Sequence, residues 1–222
     1  MKIAILGGTG DEGRGLGHRW ALAGHEVLIG SRVAERGAQA AADINEQLPD
    51  GVPLVSGSDN LTVAEAAELV VLSVPYKAQE PTLDAVKDAL AGKVLISVVV
   101  PLKPPKVSHV WQPPAGSAAQ EAQQQVGEGV PVVAAFQNIS AVLLPDPEHE
   151  IDSDVLICGD RKEDKAVALK LAEDAGLRGI DAGPLQNASV VEGLTAVLIG
   201  INIRNKIKHS GIRITGVGEI GG

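Results

Sequence analysis

The stretch KIAILGGTGDEG, residues 2–13, decides the fold of this chain of 222 residues. Its apolar first half is typical of a buried strand, and Gly8, Gly10 and Gly13 complete the pattern G-x-G-x-x-G directly behind it. The helix-prone run RGLGHRWALAG ends at Gly24, a helix-capping residue, and the apolar run HEVLIG follows as a second strand. Strand, glycine turn, helix and strand in this order predict a dinucleotide-binding unit.

Each glycine of this turn has a role toward a pyrophosphate. Gly8 permits the tight turn, Gly10 lets the backbone approach the phosphates, and Gly13 lets helix and strand pack closely. The helix that starts here offers free N–H groups and a partial positive charge to the anion. The alternative is a glycine-rich turn without a ligand. The residues predicted to contact a dinucleotide are Gly8, Thr9, Gly10, Asp11, Glu12 and Gly13.

The stretch LIGSR, residues 28–32, lacks the acidic residue that an NAD site carries at this position. Such a carboxylate binds the ribose hydroxyls and would repel a 2′-phosphate. Ser31, Arg32 and Arg36 instead supply a hydroxyl donor and two guanidinium groups suited to phosphate. The sequence therefore predicts NADP rather than NAD, although ordinary solvated arginines would give the same pattern.

Charge and composition narrow the function classes. A net charge of -9 disfavours a surface for nucleic acid or anionic lipid. No apolar run approaches the ~18 uncharged residues of a membrane span, and MKIAILGG is too short for a signal peptide. The single cysteine, Cys158, excludes an intramolecular disulfide and fits a reducing cytoplasm. Within the run DVLICG we expect it to be a buried, inert thiol.

Strands and helices continue to alternate, as a parallel sheet requires. Strands are predicted at LVVLSVP, KVLISVVV and PVVAAF, and the proline-rich stretch 101–116 predicts a surface loop or lid. We expect an α/β fold with a doubly wound, Rossmann-type parallel sheet in residues 1–145. A smaller C-terminal lobe is expected in residues 146–222, because the acidic stretch PDPEHEIDSD indicates a boundary.

Ligands of doubly wound sheets lie beyond the carboxyl ends of the strands. This rule places the glycine turn, Ser31, Ser73–Tyr76, Val99–Leu102 and Gln137–Ala141 along one crevice. Among them, Ser73, Val74 and Pro75 follow a strand directly and are predicted to contact the cofactor.

The sequence nominates no catalytic residue. The histidines are scattered without metal-ligand spacing, so we predict no metal site. His18 and His25 are expected to be structural, and His109 is expected to be a solvated loop residue. A carbonyl reductase needs a proton donor, and Tyr76 with Lys77 is the only adjacent pair worth considering. Hydride transfer between two cofactors depends on proximity and orientation more than on proton transfer.

The segments KIAILGGTGDEGRGL, GSRVAER, LSVPY and DAGPLQNASVVEGLT together resemble the NADPH-dependent reductases of coenzyme F420, an 8-hydroxy-5-deazaflavin. KHSGIRITG is similar to the ending of bacterial members. The resemblance covers nearly the whole chain, and GSR combined with DAGPL is much more specific than the glycine turn alone. It implies hydride exchange between C4 of the nicotinamide and C5 of the deazaflavin, with NADP and coenzyme F420 as the two substrates.

The resemblance also implies roles for single residues. Positions equivalent to Ile139 and Ala141 line the nicotinamide, and the position equivalent to Thr195 lies near the deazaflavin. The family commonly has a histidine where this chain has Gln137, and some members have an arginine where it has Ser189. Gln137 donates a hydrogen bond through its amide but supplies no charge. The positions that hold the 2′-phosphate are those equivalent to Thr9, Ser31, Arg32 and Arg36.

A basic run near the C-terminus reverses the overall acidic charge. It contains Arg204, Lys206, Lys208 and Arg213, with no acidic residue between them. One interpretation is a solvated helix end whose cations complement the helix dipole. The other is a set of cations at the mouth of the deazaflavin pocket, which would attract an anionic substrate.

Two other functions remain open on the sequence alone. One is an NADPH-dependent reductase of a small carbonyl or imine, with Tyr76 or an unplaced group as the acid, and the other is a non-catalytic NADP-sensing module. The apolar stretch from Leu194 to Ile203 predicts core or interface, so we expect a homodimer. The expected partners are NADP(H) and the deazaflavin, with no nucleic acid and no membrane, and the expected location is the cytoplasm.

The first prediction concerns the choice between NADP and NAD. Arg32→Ala combined with Ser31→Asp should weaken NADPH binding much more than NADH binding. A charge-assisted hydrogen bond contributes about 1.5–3 kcal/mol, so its loss lowers the preference for NADPH by at least about tenfold. Dissociation constants of both nucleotides, measured on the same preparation, test this. A double variant with its full preference for NADPH would show that the 2′-phosphate assignment is wrong.

Overall fold

A computed structural model describes residues 1–217 of the chain. Its six central strands are β1 (Lys2–Leu6), β2 (Glu26–Ser31), β3 (Ser56–Asp59), β4 (Leu69–Leu72), β5 (Val94–Ser97) and β6 (Val132–Ala134). They form one parallel sheet in the order β3-β2-β1-β4-β5-β6. The order reverses between β1 and β4, where a doubly wound sheet opens its ligand crevice. The predicted fold class is confirmed.

Helices connect the strands and cover both faces of the sheet. They are α1 (Asp11–Leu22), α2 (Ala34–Asn45), α3 (Asn60–Ala66), α4 (Tyr76–Val86) and α5 (Ala118–Val126). Trp20 of α1 and Ile44 of α2 lie in one buried apolar cluster, whereas Val63 of α3 and Leu83 of α4 lie in another. Because both faces are covered, most strands read as continuous apolar runs.

Strand β3 escapes prediction from the sequence because its residues, SGSD, include no apolar side chain. It pairs with β2 at the edge of the sheet. Its place depends on small residues instead, since a Cβ atom on Gly57 would collide with the carbonyl oxygen of Gly37 in α2. The two glycines thus let helix and strand approach closely.

The C-terminal part adds β7 (Asp154–Ile157), α6 (Lys162–Asp174), β8 (Arg178–Asp181) and α7 (Ala188–Asn205). Strands β7 and β8 form a separate two-stranded parallel sheet. An isolated antiparallel bridge joins it to the main sheet, because Ala134 and Cys158 exchange backbone hydrogen bonds of 2.8 and 2.9 Å. The thiol of Cys158 is buried, and burial raises its pKa to about 11. It is therefore an inert thiol at neutral pH.

Helix α1 is bonded directly to α6. The indole N–H of Trp20 donates to the carbonyl oxygen of Leu171 at 2.8 Å. Nε2 of His25 lies 2.9 Å from Oδ2 of Asp174. His18 is buried as well, so both histidines near the first helix belong to the packing between α1 and its neighbours.

A buried carboxylate fixes the chain that follows α7. Asp154, 1% exposed, accepts two hydrogen bonds from the Arg178 guanidinium at 2.7 and 2.6 Å. It also accepts one from the backbone N–H of Ile214 at 2.6 Å. The hydrogen bonds from Arg178, more than any other cause, hold the pKa of Asp154 below its usual range. The segment after α7 therefore returns along β7 and is anchored there.

Helix α7 is apolar around most of its circumference. Val191 and Leu198 are buried, whereas Val190 and Val197 are exposed. Despite this composition, neither α7 nor another helix within residues 1–217 is long and apolar enough to cross a lipid bilayer.

Glu192 of α7 connects this helix to the start of α5. It is 2% exposed and accepts hydrogen bonds from the N–H groups of Ala118 and Ala119 at 2.7 and 3.0 Å. Burial raises the pKa of Glu192 to about 7, against the opposing effect of these two hydrogen bonds. A carboxylate at a helix N-terminus interacts favourably with the helix dipole, so α5 and α7 are held together at this point.

Candidate functional site

The site is a crevice of about 540 Å³ at the carboxyl edge of the main sheet. One wall is the N-terminus of α1, and the other is built by the loop after β6 and by α7. Its lining residues are Gly10, Asp11, Glu12, Ser73, Val74, Pro75, Val98, Val100, Leu102, Gln137, Asn138, Ile139, Ser140, Ala141, Thr195, Leu198, Ile199, Asn202, Lys208 and Ser210. The sequence-predicted turn and loops are thus brought together.

The glycine turn has the geometry that its sequence predicts. A Cβ atom on Gly13 would lie 2.5 Å from the Cα atom of Gly8, so only glycine allows α1 to begin so close to the turn. A Cβ atom on Gly10 would meet no atom within 4 Å, which leaves the backbone open to an approaching group. No side chain caps α1. Its first N–H groups and positive dipole end are therefore suited to a pyrophosphate.

A neighbouring pocket of about 460 Å³ lies at the ends of β2 and β3. It contains Ser31 and Arg32 together with Lys77 of α4. Leu61 and Pro81 supply apolar surface to the same pocket. A pocket that combines cations with apolar side chains suits an adenosine that carries a phosphate.

Asp59, the acidic residue of this second pocket, is engaged by its own helix. Its carboxylate caps α3 by accepting from the N–H of Thr62 at 3.0 Å and from the hydroxyl of Thr62 at 2.6 Å. The hydrogen bond from the Thr62 hydroxyl is the largest cause that lowers the pKa of Asp59. The cations of Arg32 and Lys77 form no ion pair within residues 1–217 and remain available to an anion.

Gln137 occupies the wall opposite α1. Its side-chain amide Nε2 donates to the backbone carbonyl oxygen of Ser97 at 2.7 Å. The hydroxyl of Thr195 donates to the backbone carbonyl oxygen of Gln137 at 2.6 Å. Oε1 of Gln137 is buried without a partner in the described part of the chain. Since buried polar atoms in native proteins are nearly always bonded, this oxygen marks a position where a ligand donor fits.

Several sequence-predicted residues lie outside both pockets. Gly8 and Gly13 shape the glycine turn but do not line the crevice. Thr9 does not line it either, and its carbonyl oxygen accepts a hydrogen bond from Arg14. Arg36 is exposed in the first turn of α2. The hydroxyl of Ser189 donates to Gln186 at 3.0 Å, away from the crevice.

Tyr76 differs from its expected place in the crevice. Its hydroxyl donates to the Glu121 carboxylate at 2.8 Å, and its ring packs edge-on against Trp111. Burial, followed by the hydrogen bond to Glu121, raises the pKa of Tyr76 well above its usual range. Tyr76 lines another surface depression with Lys77 and not the crevice, so it is poorly placed to protonate a substrate there.

The far end of the crevice is formed by Leu198, Ile199, Asn202, Lys208 and Ser210, and of these residues the sequence singled out only Lys208. The spacing could have indicated that Leu198, Ile199 and Asn202 line the crevice, because residues three, four and seven positions after Thr195 share its face of α7. The polar character of Asn202 within an apolar run was the available clue. Lys208 of the predicted basic run lines the crevice, whereas Arg213 bonds to Asp152.

Glu12 brings an acidic group to the turn of the crevice. The residue as a whole is partly exposed, yet its carboxyl group lies deep enough for burial to raise its pKa to about 8. No hydrogen bond or ion pair to Glu12 occurs within residues 1–217, which explains why burial is not offset. Near neutral pH this carboxyl group is therefore largely protonated.

Known proteins with similar sequences cover the chain almost completely. The family described as "NADP oxidoreductase coenzyme F420-dependent" matches residues 2–101. An F420-dependent NADP reductase of Methanothermobacter marburgensis is 45% identical over 99% of this chain and 100% of its own length. The same-named enzyme of Methanocaldococcus jannaschii is 40% identical over 97% of this chain and 98% of its own.

A solved structure is similar to this chain in fold as well as in sequence. It is a crystal structure of a candidate F420-dependent NADP reductase from Arthrobacter sp. FB24, with a TM-score of 0.80 and 30% sequence identity. The match covers 97% of this chain and 99% of the other. The fold is thus shared along nearly the full length of both chains.

The second prediction follows from Glu12 and concerns the pH dependence of nucleotide binding. With a pKa of about 8, the side chain gains a negative charge as the pH rises from 7 to 9. That charge would repel the pyrophosphate at the same helix N-terminus, so binding favours the protonated form. If the bound nucleotide raises this pKa by about one further unit, the Kd of NADPH should increase roughly fivefold between pH 7 and 9.

Glu12→Gln should remove most of this pH dependence, and Glu35→Gln on α2 serves as the control because Glu35 is exposed outside both pockets. Binding isotherms at pH 7, 8 and 9 provide the measurement. A Glu12→Gln variant with the same pH slope as the wild type would contradict the role of this carboxyl group.

Proposed function

This chain belongs to the family of F420-dependent NADP reductases, and on that premise we propose that it transfers a hydride between NADP(H) and the deazaflavin coenzyme F420. The observation that carries the proposal is the position of the α1 N-terminus and the Gln137–Ala141 loop on opposite walls of one crevice. A dinucleotide bound at the first wall would extend toward the second. Beyond it, the crevice continues along α7, which leaves room for a second planar substrate.

The proposed NADP contacts divide between the two pockets. The pyrophosphate would lie on the turn and the first residues of α1, and the 2′-phosphate near Ser31 and Arg32, with Arg36 within reach from α2. Near the nicotinamide we place Ser73, Val74, Pro75, Ile139 and Ala141. On the deazaflavin side we place Gln137 and Thr195. The residues assigned to the pyrophosphate are Gly8, Thr9, Gly10, Asp11, Glu12 and Gly13.

The protein's own contribution to the reaction is binding, orientation and exclusion of water. A hydride passes directly from C4 of NADPH to C5 of the deazaflavin, which also takes up a solvent proton. Val98, Val100 and Ile139 give the crevice apolar walls, so water has few bonding partners near the reacting carbons. Proximity of this kind supplies much of the barrier reduction when no protein acid or base is needed.

The C-terminal lobe has a defined place in this scheme. We propose that residues 1–145 bind NADP and that residues 146–222 complete the deazaflavin site. Thr195 and the far end of the crevice come from the second segment, which supports this division. A cytoplasmic location is proposed from the single buried cysteine, which fits a reducing compartment.

A homodimer is proposed from the exposed face of α7. Val190, Leu194, Val197 and Ile201 stand at spacings of four, three and four residues and share one side of the helix. Val190 is 65% exposed and Val197 42% exposed. A self-complementary apolar stripe of this spacing suits packing against the same helix of a second copy related by twofold symmetry.

The third prediction tests the dimer. Val197→Lys should give a monomer because it places a charge in the proposed helix contact, whereas Ile203→Lys should remain dimeric. Ile203 is equally apolar and 64% exposed, but it lies on another side of α7. Light scattering coupled to size-exclusion chromatography measures the mass of each variant. A dimeric Val197→Lys variant, or a monomeric wild type, would contradict the proposal.

The fourth prediction tests the reaction. The wild type should oxidise NADPH when deazaflavin is present and not with a panel of small carbonyl compounds and imines. His109 and His209 are exposed, and their variants His109→Gln and His209→Gln should keep more than a tenth of this activity. Loss of a general acid or base would instead lower the rate by ~10²–10⁴-fold. Absorbance of both substrates follows the reaction. Activity with carbonyls alone would favour a carbonyl reductase, and binding of NADPH without any turnover would favour an NADP sensor.

A further inference from the structure

The end of the crevice beside the last turns of α7 contains polar atoms that the proposed roles leave unused. Asn202 Oδ1 and Ser210 Oγ are buried, and neither has a hydrogen-bond partner within residues 1–217. Both residues line the crevice. Because unbonded buried oxygens destabilise a folded protein, two of them in one cavity indicate a site built for an incoming polar group.

The backbone that carries these two side chains is fixed near both residues. Lys206 adopts the left-handed conformation, with φ of 54°, and turns the chain back at the end of α7. The backbone N–H of Ile207 then donates to the carbonyl oxygen of Asn202 at 3.1 Å. Two residues after Ser210, the N–H of Ile212 donates to Ser153 Oγ at 3.1 Å. The polar atoms therefore stand on a fixed support.

The surroundings of this pair define what it can recognise. Leu198 and Ile199 of α7 and Leu102 across the crevice offer apolar surfaces for a flat ring system. Lys208 lines the same end and forms no ion pair within the described residues. An asparagine amide carries one acceptor and one donor group side by side, which is the complement of a ring edge that presents N–H next to C=O.

We propose that Asn202 and Ser210 bind the imide edge of the deazaflavin, where a ring N–H stands between two carbonyl groups, and that Lys208 places a positive charge beside that edge. Asn202 Oδ1 accepts from the ring N–H, and the Ser210 hydroxyl donates to a ring carbonyl. This assignment rests on the proposed function, and it makes Asn202 and Ser210 determinants of specificity for the hydride partner.

NADP does not explain these atoms. Its pyrophosphate is placed at the α1 N-terminus, its phosphorylated adenosine in the pocket of Ser31 and Arg32, and its nicotinamide near Pro75, Ile139 and Ala141. All three positions are built from residues 1–145, whereas Asn202 and Ser210 belong to α7 and the segment behind it. Loss of the α7 pair should therefore weaken deazaflavin binding while leaving NADPH binding unchanged.

The test compares Asn202→Ala and Ser210→Ala with the control Asn205→Ala. Asn205 belongs to the same helix end but is exposed, and its side chain donates to the carbonyl oxygen of Ile201 and to no other group within residues 1–217. Dissociation constants are measured by the fluorescence change of deazaflavin in the absence of nucleotide, and separately for NADPH. Asn202→Ala should bind deazaflavin about tenfold or more weakly, Ser210→Ala several-fold more weakly, and Asn205→Ala like the wild type.

A deazaflavin methylated at the imide nitrogen identifies the ring edge. The wild type should bind this compound about tenfold or more weakly than deazaflavin, and Asn202→Ala should bind the two equally. Unchanged deazaflavin affinity in Asn202→Ala, or equal weakening of NADPH, would overturn the assignment. Since binding is measured directly, these results differ from failure of the proposed function, which would appear as a wild type that does not oxidise NADPH with deazaflavin.

Discussion

The close contact between α1 and the glycine turn is the constraint on which the site depends. With Gly13 packed against Gly8, the helix begins directly after β1 and directs its uncapped N-terminus into the crevice. The reversal of strand order between β1 and β4 leaves this end of the helix uncovered by a neighbouring crossover. A larger side chain at Gly13 would push α1 away and remove the anion site, although the remaining strands would still pair.

The glycine turn and the strand end beside it, where we propose that NADP binds, could be predicted from the sequence because local rules determine them. Glycines at fixed spacing behind an apolar strand specify the turn, and the end of the next strand of a parallel sheet must lie beside it. The sequence alone therefore predicts that Ser31 and Arg32 lie next to the turn. Their pocket also contains Lys77, whose position depends on how α4 packs and has no local pattern.

The part of the crevice where we propose that deazaflavin binds could be predicted only by resemblance, since it depends on contacts between distant segments. Tyr76 follows a strand end, as crevice residues do, yet its hydroxyl bonds to Glu121, 45 positions away. Ser210 reaches the crevice because Ile214, Asp154 and Arg178 anchor the returning chain. Strand β3 was missed for a related reason, because close packing of glycines and not apolar periodicity defines it.

Helix α7 has a consequence for how such an enzyme evolves. It lines the part of the crevice that we propose for the hydride partner, and Glu192 and the Thr195 hydroxyl attach it to α5 and to Gln137. Three of its other crevice-lining residues, Leu198, Ile199 and Asn202, make no side-chain hydrogen bond within residues 1–217. Variants changed only at those positions can therefore gain new electron acceptors, while the nucleotide contacts that we propose near β2 stay unchanged.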